Sequence, residues 1–490
     1  MRLFKRLFNR KKKERVPARR TYSAAQINRL TAGWITQNLT SDAELRRSLR
    51  VLRARSRELE ENNDYAKRFF HMVKSNVVGS RGILLQNKAM TIEEVLDTVT
   101  NEKMEEAWRE WGRKENASVE GTRSWCDMQN LFINTVARDG EAIVRLVKGY
   151  GNVFGFSLQF IESDHLDEDH NEELSDGNRI IMGVEFDKWK RPVAYHLRTQ
   201  HPGEYSYFRS NGKLTDLVPA DEIIHGFIPW RSTQSRGVPW MHTAMLRLNM
   251  LGGYEEAELI GARVAACKMG FFVSPDAQGY TGDDKDASGK TITEAEPGSF
   301  EQLPTGTDFR MFDPKHPDGV FPFFIKAILR GIASGINVSY NSLASDLEGV
   351  NYSSIRQGVL DERDHWRMLQ GWMIEHFCDD VFRSWLPMAL LAGKVDFSAS
   401  DLARVTQPTW QPRGWAWVDP EKDQNANIEA VDHGMKTRQM VLAEQGLDIE
   451  DVFKQLAAEK ELAKKWGLDF SVKESKPTQK TEVTDAAQNA

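Results

Sequence analysis

Seven of the nine residues from 162 to 170, Glu162, Asp164, His165, Asp167, Glu168, Asp169 and His170, form the densest group of metal-ligating side chains in the sequence. Carboxylates and imidazoles gathered at the end of a strand are what a divalent cation needs for hydrolytic chemistry. They follow an apolar run, Val153 to Ile161, that reads as a strand. Acidic loops after strands are also common without metal, and a solvated loop is the preferred reading. A metal-dependent hydrolase or nuclease using residues 162–170 is the alternative. A second group, Asp361, Glu362, Asp364 and His365, lies on one helix, with Glu362 and His365 three residues apart on a shared face, and reads as helix-surface charge. Gly149-Tyr-Gly-Asn-Val-Phe-Gly155 has one residue too many for the dinucleotide fingerprint and opens a strand rather than a helix. The sequence has no P-loop, no Gly-x-Ser-x-Gly elbow and no His-Glu-x-x-His. Cys126, Cys267 and Cys378 are far apart and odd in number, against a disulfide framework or a Cys-x-x-Cys metal site and in favour of a reducing compartment. No catalytic residue, metal ligand or cofactor is assigned.

The elements that would have to position such groups are legible from periodicity. Asp42 is a candidate N-cap for a helix carrying Leu45, Leu49 and Leu52 on one face. That helix also carries Arg46, Arg47, Arg50, Arg53, Arg55 and Arg57, followed by Glu58, Glu60 and Glu61. An exposed face with internal ion pairs is expected there, with DNA contact as the alternative. Helices are expected around Trp108 and Trp111 and from Trp125 to Arg138, before Gly140. Phe154, Phe156, Leu158 and Phe160 alternate with small or polar residues in the two-residue period of a strand. Ile180–Phe186, Val193–Leu197 and Glu222–Ile228 add three strands, with a hairpin turn over Asp187–Pro192. Residues 26–240 therefore read as an α+β domain.

From Gly237 the chain turns helical to Met269, with Gly252-Gly253 expected to bend or interrupt the helix. Residues 273–319 carry ten acids and four bases, and a second helix runs from Phe321 to near Ile336. Two helices joined by an acidic module make a stalk. Leu369, Met373, Phe377, Val381 and Trp385 recur every four residues along a long helix. Asp419-Pro420-Glu421 starts another, and a last helix runs from Asp448 to Gly467.

The 490 residues exceed what one core usually supports, so two or more domains, or one elongated multi-part subunit, are expected. No apolar run approaches the roughly 20 residues of a membrane span. Met1–Arg20 carries ten Lys/Arg and one Glu, so the arm is +9 and, with a net charge of −6, the rest of the chain is −15. The arm suits a membrane surface or nucleic acid, or is a mobile solvated terminus. Between the two long helices' end and the next helix, Val338–Ser354 contains no Lys or Arg, while Asp346 and Glu348 are negative. Phosphate finds nothing to grip in that segment.

In their order, these parts resemble the portal proteins of tailed bacteriophages, in particular the lambda-type family. The resemblance is carried by Arg236-Gly-Val-Pro-Trp240, Tyr254-Glu-Glu-Ala-Glu-Leu259 with Ala262-Arg-Val-Ala-Ala-Cys267, Pro297-Gly-Ser-Phe-Glu-Gln-Leu303, Asn351-Tyr-Ser-Ser-Ile-Arg356 and Pro412-Arg-Gly-Trp-Ala-Trp-Val-Asp-Pro420. It covers roughly residues 25–468. It implies an α+β portal fold with an α/β wing (26–240, with the helix and connection 356–418), a helical stem (241–272 and 320–337), a small α/β clip (273–319), a tunnel loop (338–355) and a helical crown (419–468). The basic arm 1–25 and the tail 469–490 lie outside it. The implied function is a non-enzymatic ring, usually a homo-dodecamer, at one capsid vertex of the virion, assembled in the host cytoplasm and free of membrane. Double-stranded DNA would be packaged and ejected through it without sequence specificity. The implied partners are the large terminase subunit, a head-completion adaptor, the major capsid protein and scaffold.

On that resemblance Tyr340, Ser342, Ser345, Asp346, Glu348, Asn351 and Tyr352 would face DNA in the tunnel loop. Asp283, Asp284 and Asp286 would dock a basic partner at the clip, or simply solubilise a loop tip. Gly331 and Gly335 would allow close stem packing, or only relieve local crowding. A contact of about 1–3 kcal/mol repeated round a ring would trap DNA at each register, and leaving out Lys and Arg avoids that trap.

Overall fold

The computed structural model describes residues 36–204, 215–266, 321–348, 352–415 and 420–468, the isolated residues 29, 32 and 33, and the backbone of four short strands between 270 and 311. Of 264–266 and 352–355 the backbone alone is described. The expectations for the arm, the tail, Asp283, Asp286 and Asn351 lie outside the described residues.

Helices α1 (Ser41–Asn62) and α2 (Asp64–Val77) are separated by a single extended residue, Asn63, whose side chain accepts the Ala66 N–H and so caps α2. Thr40, not Asp42, caps α1, because Thr40 has the extended backbone of a cap while Asp42 is already inside the first turn. Asp42 instead accepts from the Ser235 N–H (2.8 Å) and hydroxyl (2.9 Å) and pairs with Lys190 (3.2 Å). After β1 (Leu84–Asn87) come α3 (Thr98–Trp111), a single turn α4 (Lys114–Ala117) and α5 (Trp125–Asp139). The last carries a capping box between Ser124 and Asp127. It stops at Gly140, where φ is +91° and a Cβ would lie 2.5 Å from the Val238 backbone.

The strand that leaves Gly140, β2 (Glu141–Lys148), is the centre of an antiparallel sheet, flanked by β3 (Phe156–Ile161) and β9 (Ile223–Phe227). Its sequence, Glu-Ala-Ile-Val-Arg-Leu-Val-Lys, is buried along most of its length, so it lacks the alternation that reveals a half-exposed strand. A five-stranded meander follows: β4 (Glu172–Glu173), β5 (Arg179–Ile181), β6 (Val184–Phe186), β7 (Pro192–Arg198) and β8 (Thr215–Pro219). The single strand expected over Ile180–Phe186 is therefore a hairpin, turning at Met182 (φ +49°) and Gly183 (φ +86°). The turn expected at Asp187–Pro192 is present, with Asp187 accepting from the Trp189 and Arg191 amides.

Two long antiparallel helices project from this body, α6 (Met245–Ala266) and α7 (Phe321–Gly335). Thr243 meets Gly335, Arg247 meets Gly331, and Tyr254 meets Phe321 and Phe324, so residue numbers rise along one as they fall along the other. Helix α6 runs through Gly252-Gly253 without interruption, contrary to expectation. Beyond it, β10 (Gly270–Val273) pairs with β13 (Asp308–Met311), and β11 (Asp284–Lys285) with β12 (Thr291–Ile292). After the short α8 (Tyr340–Ala344), α9 (Tyr352–Met373) and α10 (Asp379–Leu391) are joined by a π-helical turn, Ile374–Cys378. That turn explains the four-residue recurrence: at about 100° per residue a stripe of strict fours drifts about 40° per step, and one residue inserted by a π turn takes back about 100°. Leu369, Met373, Phe377, Val381 and Trp385 are accordingly all buried.

The main core is aromatic. Trp108 lies 4.6 Å from Trp111 and 5.0 Å from Trp385, Phe377 stacks on Phe132 at 4.1 Å, and the Trp111 N–H donates to the Phe156 carbonyl. Each such ring contributes about 1.5–3 kcal/mol through burial. Helix α11 (Leu402–Val405) leads into β14 (Pro408–Gln411), which pairs with β1 and ties the two ends of the body together. Helices α12 (Pro420–Asp432), α13 (Arg438–Glu444) and α14 (Ile449–Trp466) complete the described chain. The last begins at an Asp448 cap and ends at left-handed Gly467, as its sequence predicts. Among the described residues no helix is long and apolar enough to cross a membrane.

Candidate functional site

The acidic loop 162–170 follows β3, but most of its carboxylates point to separate arginines. Glu168 accepts from Arg50 at 2.6 Å, Asp169 pairs with Arg50 (3.2 Å) and Arg46 (3.6 Å), and Asp167 pairs with Arg198 (2.6 Å). Only Glu162 and Asp164 converge, with His201, so that one ligand atom from each lies within 4.8 Å of the others. Two carboxylates and an imidazole are a donor set for a divalent ion. Asp164, however, already pairs with Arg57 at 2.5 Å, with Arg53 at 4.0 Å. Burial works against its charge, yet these two guanidiniums hold its carboxyl below the ordinary range. A cation would have to displace them, so arginine balances this charge and the hydrolase alternative gains no site from it.

The arginine run of α1 is largely exposed, as expected from its sequence, at Arg46, Arg47, Arg50 and Arg55, but its ion pairs reach other elements instead of the helix's own acids. Arg50, Arg53 and Arg57 reach partners on other elements, and Arg53 is only 1% exposed. Its target is Glu141 at the start of β2, which is fully buried and also accepts from Arg236 (2.5 and 2.9 Å), His225 (3.0 Å) and the Gly237 N–H (2.8 Å). Arg236 further donates to the carbonyls of Ser163, Leu166 and Met182. Burial opposes the Glu141 charge, but Arg236 and Arg53, with His225, hold its carboxyl well below the usual range. One carboxylate thus joins α1, the β2–β9 pair and the segment leading to α6, and Arg236 carries the link on to the Met182 turn between β5 and β6. The signal was present in sequence: Leu45, Leu49, Arg53, Ser56 and Leu59 are the buried stripe of α1, and Arg53 occupies an apolar position in it.

The segment without Lys or Arg is shorter as a loop than expected. Residues 340–344 form α8 and α9 begins at Tyr352, leaving 345–351 between them, with Ser345 left-handed at φ +53°. Both ends of its described part are tied down. Glu362 of α9 accepts from the Ser339 N–H (3.2 Å), the Ser342 hydroxyl (2.9 Å) and the Trp366 N–H (3.1 Å). Asp346 accepts from the Tyr340 hydroxyl (2.7 Å) and pairs with Lys326 of α7 (2.8 Å), which hold its carboxyl well below the usual range. Arg330 and Lys326 lie over the Tyr340 ring. Tyr340, Ser342 and Asp346 are thus engaged within the chain, while Ser345, Leu347 and Glu348 are exposed. Tyr352 starts α9, and its side chain lies outside the described residues.

Gly331 and Gly335 face the same chain. A Cβ at Gly331 would meet the Arg247 guanidinium at 2.6 Å, and Thr243 donates to the Gly335 carbonyl at 3.1 Å. Of the three aspartates chosen at the acidic module, Asp284 begins β11.

The sequence profile of the lambda family of phage portal proteins matches residues 28–370. A probable portal protein of Halomonas phage phiHAP-1 is 37% identical over 455 residues, covering 92% of this chain and 88% of that protein. Portal protein B of Escherichia phage lambda is 20% identical over 466 residues, covering 87% and 86%. Among solved structures, the neck of a native gene transfer agent particle computed with C12 symmetry covers 81% of this chain and 94% of its own at 13% identity. Its TM-score is 0.43, too distant a likeness to support further argument. With the profile spanning well over half of the sequence and a relative matched along nearly its whole length, the chain belongs to the lambda family of phage portal proteins.

Proposed function

We propose that the chain is one subunit of a homo-oligomeric ring, a dodecamer, at one vertex of the capsid, through which double-stranded DNA is packaged and ejected. It has no catalytic role of its own. The observation that carries this reading, beyond family membership, is the uncovered apolar surface of the paired helices. Leu246 (69%), Met250 (66%), Leu259 (63%) and Phe323 (75%) stand in water on α6 and α7. Large apolar side chains left exposed along one pair of helices mark an interaction site, and a second copy of the same two helices is the self-complementary way to cover it. The unit 420–468 supports the same conclusion: Gly446 and Ala463 are its two buried residues, while Met435, Met440 and Trp466 are exposed.

In this reading α6 and α7 form the stem, the module between them the clip, the body with α9 and α10 the wing, and α12 to α14 the crown. The segment 338–355 is the tunnel loop. Its surface would be close to neutral toward phosphate, since Asp346 is engaged by Lys326 and Glu348 is left as the outward carboxylate. Such a loop slides over DNA without a deep trap. Asp283, Asp284 and Asp286 would dock the large terminase subunit during packaging and a head-completion adaptor afterwards, and the wing would meet capsid protein and scaffold.

Electron microscopy of the purified chain tests the ring. Rings with a central hole are expected, and their absence at every ionic strength would overturn the reading. Replacing Asp346 and Glu348 with Lys should slow packaging and retain DNA; unchanged velocity and retention would remove the sliding-loop part.

A further inference from the structure

The basic residues that the sequence scattered over α2, the approach to β1 and the end of β14 meet in one groove. A cleft of about 220 Å³ lies against Arg68, His71, Ser75, Glu362, Arg363 and Trp415. A second, of about 670 Å³, lies against His71, Lys74, Ser75, Arg81 and Arg413. The two share His71 and Ser75, so they form a continuous groove along one side of α2. Arg68, His71 and Lys74 recur every three residues on that side and rise about 9 Å along the helix.

These charges differ from those of α1. Arg68 donates to the Ser342 carbonyl (3.2 Å), Arg81 to the Gly446 carbonyl (3.0 Å), and Arg413 to the Ser75 carbonyl and the Asn76 side chain (3.3 Å). Among the described residues, no carboxylate lies within ion-pair distance of Arg68, Lys74, Arg81 or Arg413. Glu362 is the one carboxylate lining the groove, and it is engaged by Ser339, Ser342 and Trp366. The guanidiniums of Arg363, Arg367 and Arg413 all lie within about 6 Å of the Trp415 ring, at 5.9, 5.6 and 6.0 Å, with Arg367 also paired to Asp364 at 2.7 Å. Gly79 (φ +75°) makes room for Arg413, whose Cδ would be 2.9 Å from a Cβ there. Burial and the like charges of Arg367 and Arg413 lower the Arg363 pKa, with the Asp423 carboxylate working against them.

We propose that this groove binds the phosphate backbone of double-stranded DNA, as a contact separate from the 338–355 segment. An elongated row of cations suits a polyanion with one phosphate charge per about 1.7 Å of duplex axis better than a single small anion. The choice of DNA over another polyanion rests on the portal reading, and the groove adjoins the proposed tunnel loop through the Arg68–Ser342 bond. An acidic face of a second copy is the competing occupant.

The test is fluorescence anisotropy of a labelled duplex with the full chain, titrated at several salt concentrations, alongside electron microscopy. The variant Arg68→Gln/Lys74→Gln/Arg81→Gln should bind more weakly to every sequence. Its slope of log K against log salt should be smaller by up to about 2.7, from about 0.9 per phosphate contact. Arg68→Lys/Arg81→Lys should keep the wild-type slope, which separates lost charge from lost folding. Replacing Lys11, Lys12 and Lys13 of the arm with Gln should lower the slope independently of the groove. Equal affinity and slope for the triple variant and wild type would overturn the proposal. So would a change in ring formation with DNA binding intact, which would assign the groove to a neighbouring subunit. A wild-type chain that forms no rings, with the groove variant still losing DNA, would remove the ring reading and leave the groove standing.

Discussion

Replacing Glu141 tests the structural centre most directly. Its carboxylate is fully buried and serves Arg53, Arg236, His225 and the Gly237 amide at once. Glu141→Ala leaves two buried guanidiniums without their shared partner. Breaking a buried pair in this way costs about 3–5 kcal/mol. With an m-value of about 3 kcal/mol per molar urea, the unfolding midpoint of the body should fall by roughly 1–1.7 M. Glu141→Gln keeps one of the two acceptor oxygens and loses the charge, and should cost less than Glu141→Ala. Its pH dependence gives a second readout. The folded carboxyl titrates well below the unfolded value of about 4.3, so its contribution is complete above that pH and is lost as pH falls through the folded pKa. The gap between wild type and Glu141→Gln should therefore be widest near neutral pH and close in acid. Urea denaturation followed by tryptophan fluorescence reads both effects, since the Trp108, Trp111 and Trp125 cluster packs against the same α5 and β3 framework. A midpoint shift below about 0.3 M for Glu141→Ala, or a gap that widens in acid, would refute the reasoning.

Glu105 lies on α3 near the start of α14, where burial first, and Asp448 and Glu450 after it, push its carboxyl up to about 7. A raised acid destabilises the fold as pH climbs from its unfolded value of about 4.3 toward 7. Glu105→Gln should therefore be neutral at pH 4.5 and stabilising at pH 8 by on the order of 1 kcal/mol, discounted for solvent screening, in thermal melts at the two pH values. Gly140→Ala, forcing a side chain into a left-handed position against Val238, should cost roughly 3 kcal/mol or more. Gly252→Ala, in mid-helix with open space around it, should stabilise by up to about 1 kcal/mol, and equal effects of the two would contradict the packing described. Lys326→Met removes the partner of Asp346, so the Glu348 amide, which donates to Asp346 at 2.9 Å, should exchange hydrogen faster; an unchanged rate would show that the latch does not hold the loop.

Most features decided by neighbours in sequence were legible, although Thr40 rather than Asp42 caps α1 and α6 runs unbroken through Gly252-Gly253. Helix α5 with its Gly140 stop, the turn at Asp187, and α14 between Asp448 and Gly467 are all set by local caps, turns and periodicity. The hairpin at Met182–Gly183 and the buried strand β2 were missed because neither breaks the apolar pattern that marks a strand. The four-residue stripe of α9 and α10 was legible, but the π turn that keeps it facing the core was not.

What the sequence determined by itself was the order of elements, the absence of cations from 338–354, and the family phrases. Which charges find partners was decided only by tertiary structure. The largely exposed arginine run sends Arg46, Arg50, Arg53 and Arg57 to Asp139, Glu141, Asp164, Glu168 and Asp169, and the acidic loop, read from sequence as solvated with a metal as the alternative, is held by these arginines and by Arg198. The cations of α2 and Arg413, unremarkable in sequence, line a groove with little opposite charge. The physical reason is range. Backbone hydrogen bonding and side-chain periodicity act over a few residues, whereas ion pairs form between whichever segments the buried core brings within about 4 Å.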